Sequence, residues 1–273
     1  MKYKFLVIIQ ARLGSTRFPG KILKKLGKTT LIEMIVKRLS KSKIIDKIVV
    51  ATTNSQVDKK LIKFLKKKEI SVFSGDEKNV LSRFFHLAKR YKPTHVVRVC
   101  GDCPFSDYKI LDKMIKIAKT KNYDYISNTN PPTFPDGFDL EIFTIKALKN
   151  AKLKAKSNYD KEHVTPYIIR NSKNSYNFNL QKDYSKYRLT IDEPKDFVVI
   201  KNVFKNFRQK NYFDCKNIIN LINKKPFLFS ENMSIERNSG SKISNGQKLW
   251  SRAKNVIPGG NMLLSKRPEM FLP

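Results

Sequence analysis

The sequence predicts an α/β protein: a mostly parallel sheet with helices on both faces, plus a C-terminal extension. Three observations lead there. Apolar runs of strand length alternate with stretches of helical period through the first half of the chain. A basic, glycine-containing loop, Ala11 to Lys21, follows the first apolar run and leads into a helical pattern. The 273 residues, 40% of them hydrophobic, are enough for one large domain with an appendage.

In chain order, Phe5 to Ile9 reads as a buried strand, and the helix from about Thr30 shows Leu31, Ile32, Ile35, Val36 and Leu39 on one side. Ile44 to Thr53 is a second strand. Ser55 to Lys68 is an amphipathic helix with Val57, Leu61, Phe64 and Leu65 facing inward. Ile70 to Phe73 is a third strand, Asn79 to Tyr91 a helix, Thr94 to Cys100 a fourth strand, Tyr108 to Lys119 a helix and Tyr123 to Ser127 a fifth strand. The pattern then breaks at Asn128 to Gly137, where three prolines and Asp136-Gly137 mark an irregular loop. Asp139 to Phe143 and Tyr187 to Ile191 read as further strands. Ile145 to Leu153, Tyr159 to Asn171, Glu193 to Phe207 and Asp214 to Asn223 read as helices.

Composition excludes several classes. No run of about 18 apolar residues is present, so no transmembrane helix is expected. The first apolar run is too short for a signal peptide, and a cytoplasmic protein is expected. The net charge of +33 comes mainly from lysines spread over the whole chain. Such lysines suit solvated helix faces. No nucleic-acid-binding motif accompanies them, so no specific nucleic-acid partner is expected, although the charge favours anionic substrates. Cys100 and Cys103 form a C-x-x-C, but no second pair completes a zinc site, and the first thiol closes an apolar strand rather than opening a helix. Gly27-Lys28-Thr29 imitates the end of a Walker A motif, whose first glycine would fall at Ile22.

The chemistry-bearing residues fall mainly at strand ends. The first loop carries Arg12, Ser15, Arg17 and Lys21 around Gly14, Pro19 and Gly20. Backbone N–H groups, a following helix and three cations suit a polyphosphate, while an ordinary βα loop with solvated charges is the other reading. Asp102, in Gly101-Asp102-Cys103-Pro104, is placed to hold a divalent cation or to cap a turn. Asp192 and Asp196 flank a helix start at Pro194, where a carboxylate also serves as a cap.

The string Gln10-Ala11-Arg12-x-Gly14-Ser15-Thr16-Arg17-x-Pro19-Gly20-Lys21 resembles the signature loop of the sugar-activating cytidylyltransferases. These include the acylneuraminate and 3-deoxy-octulosonate enzymes, and the resemblance is nearest to the spore-coat polysaccharide branch. It implies a nucleotide-diphospho-sugar transferase-like, Rossmann-like version of the predicted sheet. It also implies that Arg12, Arg17 and Lys21 bind the triphosphate and stabilise departing pyrophosphate, with Ala11, Gly14 and Ser15 completing the nucleotide site. Asp102 and Asp192 would be magnesium ligands. Gly75 and Arg83, in a stretch resembling G-x-x-x-x-V-L-x-R, would lie near the base. Asp139, Glu141 and His163 would face the acceptor sugar, since Pro135-Asp-Gly-Phe-Asp139-Leu-Glu141 and Glu162-His163-Val-Thr-Pro166 resemble two further family stretches. The implied reaction couples CTP to a sugar acid, with a homodimer as the common assembly. Two alternatives stay open: another nucleotide with a sugar phosphate, or a non-catalytic nucleotide-binding module.

The organisation expected is a nucleotidyltransferase domain over 1–228, a polar Ser- and Asn-rich linker over 229–246, and a last segment over 247–273. That last segment resembles the N-terminal stub of class III aminotransferases, which points to a fused or partner aminotransferase.

Overall fold

The computed structural model describes residues 4–208 and 212–237. The chain divides into two compact units, 1–234 and 235–273. Of the second, only 235–237 are among the described residues, so the expected segment 247–273 and most of the expected linker lie outside them.

The elements run β1 (Phe5–Gln10), a hairpin of β2 (Lys25–Leu26) and β3 (Thr29–Thr30), α1 (Leu31–Leu39), β4 (Lys47–Thr53), α2 (Lys59–Lys67), β5 (Val72–Gly75), α3 (Val80–Tyr91), β6 (His95–Cys100), α4 (Tyr108–Thr120), β7 (Tyr125–Ser127), β8 (Glu141–Thr144), α5 (Ile145–Lys154), α6 (Asn158–His163), α7 (Pro166–Asn171), β9 (Ser175–Asn177), α8 (Pro194–Asn206) and α9 (Cys215–Lys224). The main sheet has the order β5-β4-β1-β6-β8-β7-β9. Strands β1, β4, β5 and β6 are mutually parallel, and β7 is parallel to β9. Strand β8 is antiparallel to both its neighbours. The order reverses at β1, so the loops after β1 and β6 open a crevice at the carboxyl edge, where α/β sheets bind ligands.

Alternation along the strands divides the core. Phe5, Val7 and Ile9 meet α1, α4, α8 and α9, through residues such as Ile35, Met114, Val203 and Ile218. Leu6 and Ile8 meet α3, α5 and α7, through Leu81, Phe84, Leu148 and Ile168. Full burial of side chains this size stabilises by roughly 1.5–3 kcal/mol each. Helix starts follow local chemistry: Thr30 and Glu33 form a reciprocal capping box on α1, and Asn79 accepts from Ser82 N at 2.9 Å to open α3.

The structure departs from the sequence reading in four places. The helix expected from Ser55 begins at Lys59, because the Asp58 side chain turns back to the β4 end, and Val57 is 60% exposed. The helix expected over 159–171 breaks in two at Thr165-Pro166, where the proline opens α7. Tyr187 to Ile191 is not a strand: its backbone bonds go to loops, with Leu189 N donating to Asp136 O at 2.7 Å and Ile191 N to Asp102 O at 2.9 Å. Gly27 (φ 64°), already rejected as part of a Walker A motif, is the turn of the β2–β3 hairpin. Finally, packing continues past 228. Phe229 is fully buried with its ring edge-on to Tyr187 at 5.7 Å, and Asn232 is also fully buried, so 229–232 are part of the domain rather than linker.

Candidate active site

The loop after β1 is folded by its own backbone. Ser15 N and Gly20 N both donate to Leu13 O, at 2.8 and 3.1 Å, and Gly20 adopts φ 66°, a conformation glycine takes without steric cost. This turn delivers Lys21 into the sheet crevice. Its Nζ donates to Asp192 Oδ1 at 2.8 Å, Asp102 Oδ2 at 3.2 Å and Ile191 O at 2.6 Å. Burial lowers the pKa of Lys21, but Asp102 and Asp192 more than offset it, and the ammonium titrates above its ordinary 10.5. Arg17 lies 3.4 Å from Asp192 and 3.6 Å from Glu193. Burial pushes the Asp192 carboxyl up, yet Lys21, Arg17 and Arg188 together hold it below the ordinary carboxylate value.

Asp102 and Asp192, 26% and 21% exposed, therefore converge on one cation position. Two hard carboxylates open to substrate fit magnesium, which binds through one or two carboxylates and completes its octahedron with phosphate oxygens and water. No group of three or more metal-capable side chains occurs among the described residues.

Arg188 organises the floor of this site. The guanidinium, 3% exposed, reaches Asp136 at 2.9 Å, Asp192 at 2.8 Å and Asp196 at 2.9 and 3.2 Å. Asp196 is fully buried. It accepts also from Asp192 N, Glu193 N and Asn232 Nδ2, so from the first turn of α8 it reaches back to the N-cap Glu193 and serves as a structural anchor. Gly137 (φ 105°) lets the Asp136 turn cross this segment: a Cβ there would lie 2.5 Å from Leu189 C and O.

The nucleotide-side residues cluster around the ends of β1, β4 and β5. Ala11 is buried and donates its N–H to Ala51 O at 3.1 Å. A Cβ on Gly101 would sit 2.8 Å from Ala11 Cβ and 2.9 Å from Gln10 O, so glycine permits the close approach of the β1 and β6 ends. A Cβ on Gly75 would meet Arg83 Cγ at 3.1 Å. Arg83 is buried and donates to the carbonyls of Asp76 and Glu77; burial, helped by the nearby Arg12 charge, lowers it to about 10. Arg12, Gly14 and Ser15 sit on the outer part of the loop, with Arg12 and Gly14 exposed and Ser15 half-buried.

On the acceptor side the outcome is mixed. Glu141 is buried: Tyr125 Oη donates to its Oε1 at 2.6 Å and Arg98 pairs with its Oε2. His163 ends α6, half-buried, with its ring centroid 4.5 Å from that of Tyr159, and burial lowers its pKa. The next residue, Val164, is β-branched, fully buried and held at φ 69°, a strained setting that makes the abrupt turn into α7. Asp139 is half-buried, and its charge, with others, acts on Cys100. Burial pushes the Cys100 thiol up to about 12 and raises Cys103 as well, which leaves both protonated and poorly nucleophilic.

A model of the family described as cytidylyltransferase matches residues 6–235. The chain belongs to the cytidylyltransferase family. It is 34% identical over 231 residues to the spore coat polysaccharide biosynthesis protein SpsF of Bacillus subtilis, covering 81% of this chain and 95% of that one. The structure of a cytidylyltransferase from Leptospira borgpetersenii is similar with a TM-score of 0.80 and 35% identity, covering 86% of this chain and all of that one. The CMP:2-keto-3-deoxy-manno-octonic acid synthetase complexed with CTP shares the fold, with a TM-score of 0.58 and 12% identity over 75% of this chain and 99% of that one.

Two residues that shape this cytidylyltransferase site were missed at the sequence level. Arg188 stood in a segment that reads as an ordinary strand. Asp58 read as a helix residue, but its buried carboxylate accepts from Leu13 N at 2.7 Å, Thr52 Oγ1 at 2.9 Å and Thr53 N at 3.1 Å. Asp58 thereby ties the signature loop to the β4 end. The available signal was an Asp just ahead of the first helical residue with two threonines before it.

Proposed function

We propose that this chain transfers CMP from CTP to a sugar acid, releasing pyrophosphate, in the synthesis of a surface polysaccharide or glycoconjugate. The observation that carries the reading is the convergence of Lys21, Asp102 and Asp192, beside Arg17, at the point where the sheet order reverses. The spore-coat polysaccharide role named for the SpsF relative supports the pathway class, and the octonic acid synthetase named for the structural neighbour supports the acceptor class.

In this reading an acceptor hydroxyl attacks the α-phosphorus in line. Its oxygen forms the new P–O bond as the bond to the β-phosphate oxygen breaks, the electron pair leaves on pyrophosphate, and the hydroxyl proton passes to water. Chemistry of this kind depends on positioning and charge stabilisation. Lys21 and Arg17 exchange their carboxylate partners for phosphate oxygens, and Arg12 adds a third positive charge from the loop. Asp102 and Asp192 would hold magnesium, and the ion would supply neutralisation of phosphate charge and a lowered pKa for a bound hydroxyl. The same reading places the protein in the cytoplasm as a homodimer, with a truncated aminotransferase-like segment over 247–273 pointing to a fused or partner aminotransferase.

The test is pyrophosphate release with magnesium, each of the four nucleoside triphosphates being paired with a panel of sugar acids and neutral sugars. CTP-dependent release that falls by orders of magnitude in Asp102→Asn is expected. Failure to bind any nucleotide, or wild-type turnover in that variant, overturns the reading.

A further inference from the structure

Four buried side-chain atoms among the described residues lack a hydrogen-bond partner: Gln10 Oε1, Arg83 Nε, Arg98 Nε and Asn232 Oδ1. Two of these stand on one face of two paired strands. Arg98 lies in register with Ile8, and Gln10 with Cys100, so both side chains leave the sheet on the side of Ile8, the face covered by α3, α5 and α7. That face is apolar along the first half of the strands and turns polar towards the carboxyl edge, where Gln10, Arg98 and Glu141 follow Leu6, Ile8 and Phe143.

The Arg98 fork is only partly used. Its Nη1 pairs with Glu141, which stands opposite Arg98 in the β6–β8 register and is fixed from its other oxygen by Tyr125. The adjoining edge, Nε with Nη2, has no partner among the described residues. Two other buried arginines differ: Nε of Arg38 donates to Ser106 O at 3.0 Å and Nε of Arg188 to Asp196 at 2.9 Å. The Arg98 side chain keeps 15% exposure, while its Nε is itself buried.

We propose that Arg98 is the specificity-determining residue for the acceptor, binding its carboxylate through the Nε–Nη2 edge while Gln10 Oε1 accepts from a sugar hydroxyl. The inference rests on the acid-acceptor reading above. A planar carboxylate matches that edge with two parallel charge-assisted bonds, and a hydroxyl supplies the donor Gln10 lacks. A polyhydroxylated acid carries both groups. Arg98 and Cys100 share β6, Gln10 pairs in register with Cys100, and Asp102 lies in the turn just past the end of that strand, so the acid-binding end adjoins the cation-binding end. Glu141, expected from the sequence to face the sugar, is also the brace that aims Arg98.

The experiment measures binding of 3-deoxy-octulosonate and N-acetylneuraminate, each against its carboxamide, to the full chain by titration calorimetry, with CTP affinity measured alongside. Arg98→Gln removes the charge. Arg98→Lys keeps a cation opposite Glu141 and so protects the fold while losing the forked edge. Wild type should prefer acid over carboxamide by about 10- to 100-fold, the ratio expected of a charge-assisted bond. Both variants should lose that preference and keep their CTP affinity. Arg98→Lys retaining the preference, or wild type binding neither acid or binding acid and amide alike, overturns the proposal. Pyrophosphate release from CTP with a neutral sugar alone would remove this inference and leave the nucleotidyltransferase reading intact. Acid preference without CTP binding would do the reverse.

Discussion

Replacing Arg188 by Met is the most informative single change. The guanidinium is shared by three carboxylates, of which Asp136 is 9% and Asp196 0% exposed, so neither can rehydrate when the cation is lost. Breaking a buried pair from one side costs about 3–5 kcal/mol, because a charge is left uncompensated. Each kcal/mol moves the melting temperature of a domain this size by about 2–4 °C, so a drop of roughly 6–20 °C is expected. Urea denaturation followed by circular dichroism gives the free energy, and a thermal scan gives the shift. Arg188→Lys should recover little, since one ammonium cannot serve three carboxylates spread around a planar fork. Turnover should fall even where the variant stays folded, because Arg188 holds Asp192 beside Lys21. A loss below about 1 kcal/mol, within the range of exposed ion pairs, would refute the view of Arg188 as a buried organiser.

Other outcomes follow from the same geometry. Asp58→Ala removes the acceptor for Leu13 N, Thr52 Oγ1 and Thr53 N, so a loss of about 2–4 kcal/mol is expected, together with a CTP affinity that weakens as the signature loop loosens; calorimetry checks both. Gly101→Ala forces a Cβ to within 2.9 Å of Gln10 O, which backbone must yield, and should cost about 1–3 kcal/mol and most of the turnover; a variant as stable and active as wild type would contradict the close approach. The Lys21–Asp192 contact sets a pH window. Asp192 titrates below its ordinary 3.8, so its contribution is full above that value and is lost as pH falls through the lower folded value. Lys21 titrates above 10.5, so its contribution is full below 10.5 and is lost as pH rises further. Urea titrations across pH should therefore show Asp192→Asn less stable than wild type at neutral pH, with the two converging only below about pH 3.8.

Much of the scaffold is legible because its signals are local. Apolar runs such as Phe5 to Ile9 and the Thr30–Glu33 cap act within a few residues, and their elements fall where expected. The antiparallel insertion of β8 was not legible, since a four-residue strand carries no mark of direction. Nor was the edge strand β9, three residues of mixed polarity. Ser230 and Asn232 look like linker composition, but Asn232 Nδ2 bonds Asp196 Oδ1 at 2.8 Å and belongs to the core.

The same division holds at the site. The chemistries available are written in the residues alone: a loop with three cations and two glycines, carboxylates just past two apolar segments, and a crevice at the carboxyl edge of a parallel sheet. Which groups meet is set by packing between distant segments. Lys21 finds Asp102 and Asp192 across 81 and 171 residues, and Arg188 rather than a loop cation became the centre of the acidic cluster. Glu141 meets Arg98 across the β6–β8 register, a pairing that no local pattern marks. The physical reason is that an ion pair depends on a few ångströms of separation and on the loss of water around it, and both are set by how distant segments pack.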